Sequence, residues 1–79
     1  MRVTVKLFGP ERQAAGADSV GVDVNDGATC ADVRTKLGEA HAGLGESHTR
    51  FAVNQSFVTD DHVLSAGDEV ALIGLVSGG

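Results

Sequence analysis

The sequence predicts an α+β fold in which one main helix packs across one face of a mixed β-sheet of about five strands. Its 79 residues suffice for one hydrophobic core, and therefore for one domain. Five short segments show the period-two alternation or the turn-bounded apolar runs that are typical of strands. One longer segment carries an apolar stripe at helical spacing. Two packed layers are the simplest way to bury the apolar faces of both kinds of element.

The first half of the chain predicts two strands separated by a short helix. Residues 3–8 alternate between apolar and polar side chains, which indicates a half-buried strand. In residues 9–16, a proline near the start and a glycine at the end favour one or two helical turns. Residues 19–24 alternate again, and the Asn-Asp-Gly sequence that follows ends this second strand.

The main helix is predicted to begin after Thr29. A threonine is a good N-cap, and Asp32 places a negative charge in the first turn, where it suits the helix dipole. The apolar stripe consists of Cys30, Val33, Leu37 and Ala40, which predicts about three helical turns. Residues 43–49 are rich in glycine and predict a loop.

The second half predicts three short strands. They lie at residues 50–53, 57–58 and 69–75, with a turn at Asn54-Gln55 and an irregular connection at 60–68. We expect a domain of residues 1–75 followed by a flexible tail of residues 76–79, which have no strand left to pair with. The order of elements matches the ubiquitin-like β-grasp, a fold that does not by itself specify a function.

Composition excludes several classes of function. The net charge of −5 argues against nucleic acid as a ligand and favours a partner with a basic face. The single cysteine excludes an internal disulfide and a cysteine-based zinc site, and we predict no metal site. No apolar run approaches the roughly 20 residues that span a bilayer, and the first residues do not resemble a signal peptide. We therefore expect a cytoplasmic protein without a membrane partner.

The Gly78-Gly79 pair at the end of the sequence is the feature that points to chemistry. Because glycine has no side chain, such an end can thread a channel too narrow for other residues. A terminal carboxylate is a poor acyl donor until adenylation by ATP converts it into a mixed anhydride, which a sulfur nucleophile can attack. The product would be a thioester or a thiocarboxylate at the end of a flexible arm.

Five short motifs, spread over nearly the whole chain, resemble those of one family. They are Leu7-Phe8-Gly9 with Arg12 and Gly16, Ala52-Val53-Asn54-Gln55, Asp61-His62 with Leu64, Gly67-Asp68-Glu69-Val70, and Val76-Ser77-Gly78-Gly79. Together they resemble the ubiquitin-like MoaD/ThiS family of sulfur carriers, which includes the small subunit of molybdopterin synthase. The family often has two prolines where this sequence has Gly74-Leu75, so we expect a looser tail.

The resemblance implies a sulfur carrier that is not an enzyme on its own. A ubiquitin-activating-like adenylyltransferase would use ATP and magnesium to adenylate Gly79, and a sulfur donor system would convert the adenylate into a thiocarboxylate. Gly78 would help the tail to thread into the large subunit of molybdopterin synthase. There the sulfur would pass to cyclic pyranopterin monophosphate, in molybdenum cofactor biosynthesis. No cofactor would be bound permanently.

The resemblance also implies a docking surface on the sheet. The matching positions are Phe8, Phe57 and Ile73, with Arg12, Val76 and Ser77 as further partner contacts. The alternation of the flanking strands independently places Phe8 and Ile73 on the face opposite the core, where grouped apolar side chains indicate a contact surface. The alternative is that each of the three is a rim residue of the core.

Other functions stay open. A carrier of this kind can serve thiazole (thiamine), cysteine or thiolated-tRNA synthesis, or act as a ubiquitin-like protein modifier. A different class is a β-grasp interaction module whose Gly-Gly end is incidental. Two further features favour structural interpretations, since Cys30 lies on the helix stripe and Asp60-Asp61-His62 indicates a solvated turn rather than a metal site.

Overall fold

The computed structural model describes residues 1–41, 44 and 49–74, which form five strands and two helices. In chain order the elements are β1 (Arg2–Leu7), α1 (Gly9–Ala15), β2 (Ser19–Asp23), α2 (Cys30–Ala40), β3 (Thr49–Val53), β4 (Ser56–Val58) and β5 (Val70–Gly74). The five predicted strands, the short helix and the main helix are therefore all present.

The strands form one mixed sheet in the order β2-β1-β5-β3-β4. Strand β1 pairs antiparallel with β2 and parallel with β5. Strand β5 also pairs antiparallel with β3, which forms a hairpin with β4. The last strand of the sequence thus lies at the centre of the sheet, and α2 packs across one of the two faces.

Alternation directs one face of the central strands into the core. Val5 lies opposite Val70, Leu7 lies opposite Leu72, and Leu72 lies opposite Phe51 on the other side. Each of these five residues is at most 2% exposed. Because burial of one such side chain stabilises a fold by about 1.5–3 kcal/mol, this row across β1, β5 and β3 is a main source of the sheet's stability.

Helix α2 begins as the sequence predicts. The backbone N–H of Asp32 donates to Thr29 Oγ1 at 3.4 Å, and the backbone N–H of Thr29 donates to Asp32 Oδ2 at 2.9 Å. This reciprocal pair is a capping box, which satisfies two N–H groups that a helix start otherwise leaves unpaired.

The buried face of α2 is shorter than predicted. Cys30, Val33 and Leu37 are fully buried against the sheet. The prediction for Ala40 was wrong, because the helix ends at this residue and leaves it exposed. Leu44, which is fully buried, continues the core instead.

Element boundaries differ from the predicted ones by one or two residues. Phe8 follows β1 instead of ending it, and it caps α1 in an extended conformation with φ −139° and ψ 154°. The predicted loop had included Thr49, but this residue is buried and opens β3 by pairing with Gly74. Strand β2 ends at Asp23, one residue early. Leu75, predicted to end the last strand, lies outside the described residues, as do residues 76–79.

The predicted turns are confirmed. Gly16 ends α1 with φ +70°, a conformation that favours glycine, and its N–H donates to the carbonyl of Arg12 at 3.0 Å. Asn54 and Gln55, with φ +52° and +72°, form the two-residue turn between β3 and β4. Positive φ at both central positions matches the right-handed twist of the paired strands.

Arg34 on α2 holds three segments together, and the sequence analysis did not identify it. Its guanidinium binds both carboxylate oxygens of Asp60, at 2.8 and 3.0 Å. It also donates to Thr49 Oγ1 at 2.7 Å and to the Thr49 carbonyl at 3.0 Å. The side chain is only 16% exposed, so this charge-assisted cluster joins α2, the start of β3 and the turn before β5.

Replacing Arg34 with methionine should lower the free energy of unfolding by about 2 kcal/mol, because hydrogen bonds to a charged group are lost and Asp60 is left without its partner. Urea unfolding measures this change. The exposed neighbour Lys36, replaced in the same way, should change the unfolding free energy by less than about 0.5 kcal/mol. Equal effects of the two substitutions would show that the Arg34 cluster does not stabilise the fold.

Candidate functional site

The sheet face opposite α2 carries small and apolar side chains in register. Lys6 lies opposite Ala71, Ala71 lies opposite Ala52, and Ala52 lies opposite Phe57. The row therefore crosses four strands, from a charged residue on β1 to an aromatic residue on β4. The two alanines in its middle form the floor of a shallow depression.

The depression is bordered by the three residues predicted to form a docking surface, Phe8, Phe57 and Ile73. Phe8 is 50% exposed and Phe57 is 56% exposed, so neither is a core residue. Ile73 is half-buried. We call Phe8, Ala52, Phe57, Ala71 and Ile73 the outer-face patch. The structure brings the three predicted residues together, and their contact with a partner stays a prediction.

Polar side chains surround the outer-face patch. The ammonium of Lys6 lies 4.0 Å from the carboxylate of Glu69. The guanidinium of Arg50 lies 5.2 Å from the ring centre of Phe57, within range of a cation–π interaction. An apolar centre with aromatic and arginine side chains inside a polar rim is typical of protein–protein interfaces.

Asn54 supports the patch from the hairpin turn. Its backbone N–H donates to the Glu69 carbonyl at 2.8 Å, and its Oδ1 accepts from the Glu69 N–H at 3.0 Å. Its Nδ2 donates to Asp68 at 3.1 Å. A hydrogen bond from the Ser65 backbone, followed by this one, lowers the pKa of Asp68. Asn54 therefore fixes the start of β5 against β3. The sequence analysis identified this residue only as part of the Val-Asn-Gln motif and did not predict its structural role.

The last described residue, Gly74, directly follows Ile73 of the outer-face patch. Strand β5 ends at Gly74, five residues before Gly79. Val76, Ser77, Gly78 and Gly79 lie outside the described residues, and their roles stay predictions.

Arg12 is exposed on α1, and its guanidinium lies 2.9 Å from the exposed carboxylate of Asp18. An ion pair of this kind contributes little to stability. The contact of Arg12 with a partner also stays a prediction.

The other candidate groups have structural roles. Cys30 is fully buried, and desolvation, with a smaller contribution from the charge of Asp60, raises the pKa of its thiol to about 11. A thiol of this kind is unreactive at neutral pH. Asp60 is bound to Arg34. Among residues 1–41, 44 and 49–74, no three His, Cys, Asp or Glu side chains converge on a possible metal position.

Neither of the two described helices combines the length and the apolar character needed to cross a membrane.

Comparison with known proteins decides the family. Residues 5–79 match the ThiS family. The chain belongs to the ThiS family. It is 35% identical, over 83 aligned residues, to the molybdopterin synthase sulfur carrier subunit of Chlamydomonas reinhardtii, and the alignment covers 100% of both chains. The resemblance inferred from the five motifs is therefore confirmed.

Solved structures confirm the β-grasp fold of this ThiS-family chain. SAMP1 from Haloferax volcanii superposes with a TM-score of 0.85 at 34% identity, over 100% of both chains. A second similar structure is the complex of subunits 1 and 2 of molybdopterin-converting factor from Helicobacter pylori. It matches with a TM-score of 0.68 at 26% identity, over 100% of both chains. The outer-face patch of this ThiS protein thus lies on a framework shared with both.

The buried thiol of Cys30 should resist alkylation in the folded protein. A pKa raised from 9.0 to about 11 leaves about a hundredfold less thiolate at pH 8 than in the unfolded chain. Mass spectrometry after iodoacetamide treatment, with and without urea, measures the two rates on the single cysteine of the chain.

The same pKa difference sets a pH dependence of stability. Because the unfolded thiol loses its proton near pH 9 and the folded thiol only near pH 11, the free energy of unfolding should fall as the pH rises between these values. Alkylation of Cys30 at equal rates in the folded and unfolded protein would contradict its burial. A contribution of Cys30 to the free energy of unfolding that rises between pH 9 and pH 11 would contradict it as well.

Proposed function

We propose that this chain is the sulfur carrier of molybdopterin synthase and acts through a thiocarboxylate on Gly79. The observation that carries the proposal is the position of β5. Its outer face supplies Ala71 and Ile73 to the outer-face patch, and the strand ends at Gly74, five residues before Gly79. Five extended residues span at most roughly 17 Å, so the active site proposed to receive the Gly79 carboxylate has to lie within that distance of Gly74.

The proposed chemistry takes place on the terminal carboxylate. In the activating enzyme, an oxygen of the Gly79 carboxylate attacks the α-phosphate of ATP, pyrophosphate leaves, and an acyl-adenylate forms. A sulfide equivalent from the sulfur donor then attacks the carbonyl carbon. The C–O bond to AMP breaks, and AMP leaves with the electron pair. The product is a thiocarboxylate, and the carbonyl carbon keeps its oxidation state.

This chain contributes reach and docking to that chemistry, while its partners contribute the rest. The glycines at positions 78 and 79 add no side chain near the carbonyl carbon, so a nucleophile meets no steric hindrance. ATP and magnesium belong to the activating enzyme. Positioning of the acyl group and stabilisation of the charge that develops on it also belong to the partner that encloses the tail.

The large subunit of molybdopterin synthase is the partner that we propose for sulfur delivery. The relative from Chlamydomonas reinhardtii is named a sulfur carrier subunit of that enzyme, and the similar structure from Helicobacter pylori is a complex of two subunits. Both support a complex of this chain with a second subunit. In the proposed complex, that subunit covers the outer-face patch and receives the tail. The sulfur acceptor is then cyclic pyranopterin monophosphate.

Protein modification is the second candidate function. SAMP1 from Haloferax volcanii, which is 34% identical to this chain, is a small archaeal modifier protein. Both functions begin with the same acyl-adenylate. They differ in the nucleophile, because a modifier transfers its carbonyl carbon to a lysine amine of a target and remains attached, whereas a carrier keeps sulfur and releases it.

Incubation with a ubiquitin-activating-like adenylyltransferase, ATP, magnesium and a sulfur donor should exchange one oxygen of this chain for sulfur. Intact-mass measurement detects the exchange, and fragmentation assigns it to Gly79. The variant without Gly79 is the matched control. It should keep its thermal stability, since residues 75–79 follow the last described strand, but it should gain no sulfur.

No mass change in the full-length chain, with the adenylyltransferase active on its own carrier, would contradict the proposal and favour an interaction module. An increase in intact mass by the mass of a second protein, less one water, would show attachment to a target and would favour modification instead.

Phe8→Ala should weaken binding to the large subunit by about tenfold, because removal of an exposed aromatic anchor typically costs more than 1 kcal/mol of binding free energy. Calorimetric titration measures the binding, and the melting temperature should stay within about 3 °C.

Val63→Ala is the control for Phe8→Ala, since Val63 is 57% exposed but is not part of the outer-face patch. A large loss of stability with unchanged binding would show that Phe8 stabilises the fold and does not contact the partner.

A further inference from the structure

Arg50 has an exposed guanidinium without a carboxylate partner among the described residues. The other three arginines lie in ion pairs, namely Arg2 with Asp23, Arg12 with Asp18 and Arg34 with Asp60. The guanidinium of Arg50 instead lies over the ring of Phe57, 5.2 Å from its centre. An aromatic ring attracts a cation but does not neutralise its charge. The charge of Arg50 is therefore available to another molecule.

Arg50 belongs to the same face of the sheet as the outer-face patch. It lies opposite Ile73 in the pairing of β3 with β5 and two residues before Ala52, so alternation directs all three side chains away from α2. Arg50 is exposed, whereas Phe51, which follows it, faces the core and is buried. The guanidinium lies over Phe57, a member of the patch, and is thus within reach of a molecule that covers the patch.

The outer face of the sheet is more positive than the chain as a whole. The net charge of −5 favours a basic partner, but this charge is not evenly distributed. On the outer face, within the described strands and the residue before β5, three cations face two carboxylates, and the pairs are Arg2 with Asp23 and Lys6 with Glu69. Arg50 is the third cation. A partner surface that complements this face therefore carries a carboxylate opposite Arg50.

We propose that Arg50 binds a carboxylate, an aspartate or glutamate side chain, of the protein that covers the outer-face patch and receives the tail. A guanidinium presents five N–H donors in a planar fork, which fits both oxygens of a carboxylate. The contact with Phe57 holds this fork at the patch, so binding costs less conformational entropy than it would for a freely moving side chain. The inference rests on the proposed function, because the partner is the same.

The depression beside Arg50 indicates a second group on the partner. Its floor consists of Ala52 and Ala71, and larger side chains, among them Phe57 and Ile73, border it. Small side chains at the centre leave room for a protruding apolar side chain of the partner. Such a side chain also excludes water from the neighbourhood of Arg50, where a charge-assisted hydrogen bond is then stronger. The partner surface that fits this face thus combines an apolar side chain with an adjacent carboxylate.

Two variants test the inference in the full-length chain. Arg50→Met keeps an unbranched apolar side chain beside Phe57 and removes the charge, and it should weaken binding to the large subunit of molybdopterin synthase by about tenfold or more. Arg50→Lys keeps the charge but loses the planar fork, and it should weaken binding less than Arg50→Met does. Because Arg50 is exposed, both variants should keep the melting temperature within about 4 °C.

Arg2→Met is the matched control, because it removes the same charge from an exposed position on the same face, outside the outer-face patch. It should change the dissociation constant by less than about twofold. An increase in salt from about 0.1 M to about 1 M should weaken the binding of the unaltered chain more than that of Arg50→Met, since the variant has one ion pair fewer to screen. Isothermal titration calorimetry at the two salt concentrations, together with thermal unfolding, gives all of these values.

Failure of the inference can be told apart from failure of the proposed function. If the unaltered chain binds the large subunit and Arg50→Met binds as tightly or more tightly, the role of Arg50 is overturned and the proposed function stands. Equal losses for Arg50→Met and Arg2→Met would also overturn that role, because only the overall charge of the chain would then matter. If the unaltered chain does not bind the large subunit, both fail.

Discussion

The insertion of β5 between β1 and β3 determines both the core and the outer face of the sheet. Its inner side chains, Val70 and Leu72, are opposed on both sides by the apolar residues of the neighbouring strands and are covered by α2. Its outer side chains, Ala71 and Ile73, belong to the outer-face patch. One strand therefore contributes to the core and to the candidate docking surface, and it leads to the tail. A partner that binds the patch would also hold Gly74, five residues before Gly79.

Local patterns were sufficient for most of the fold, and they failed where a residue's role depends on distant partners. Alternation identifies the faces of a strand, and the cap at Thr29 involves residues three apart, so both can be found in the sequence. Thr49 was assigned to a loop because only its pairing with Gly74 makes it a strand residue. In the sequence, Arg34 resembles a solvated charge on a helix. Only the fold brings Thr49 and Asp60 within hydrogen-bonding distance of its guanidinium.

In the candidate site, too, local patterns identified some residues and missed those whose role depends on distant contacts. Alternation placed Phe8 and Ile73 on the outer face, whereas Phe57 came from the family resemblance alone, since a strand of three residues is too short to show a period. The burial of Glu11, which lies on α1 and is only 5% exposed, gave no signal, because an acidic residue in the first turn of a helix is ordinary. Its carboxylate packs against Gly74, more than sixty residues away in the sequence.

If this chain delivers sulfur from a thiocarboxylate on Gly79, isotope-labelled sulfur should pass from Gly79 to the acceptor. The chain would be prepared with heavy-isotope sulfur in the Gly79 thiocarboxylate and mixed with the large subunit of molybdopterin synthase and cyclic pyranopterin monophosphate. The heavy sulfur should appear in the dithiolene of molybdopterin, and Gly79 should return to a carboxylate. Label that stays on the chain, or a carbonyl group that ends in a bond to lysine, would contradict sulfur delivery by this chain.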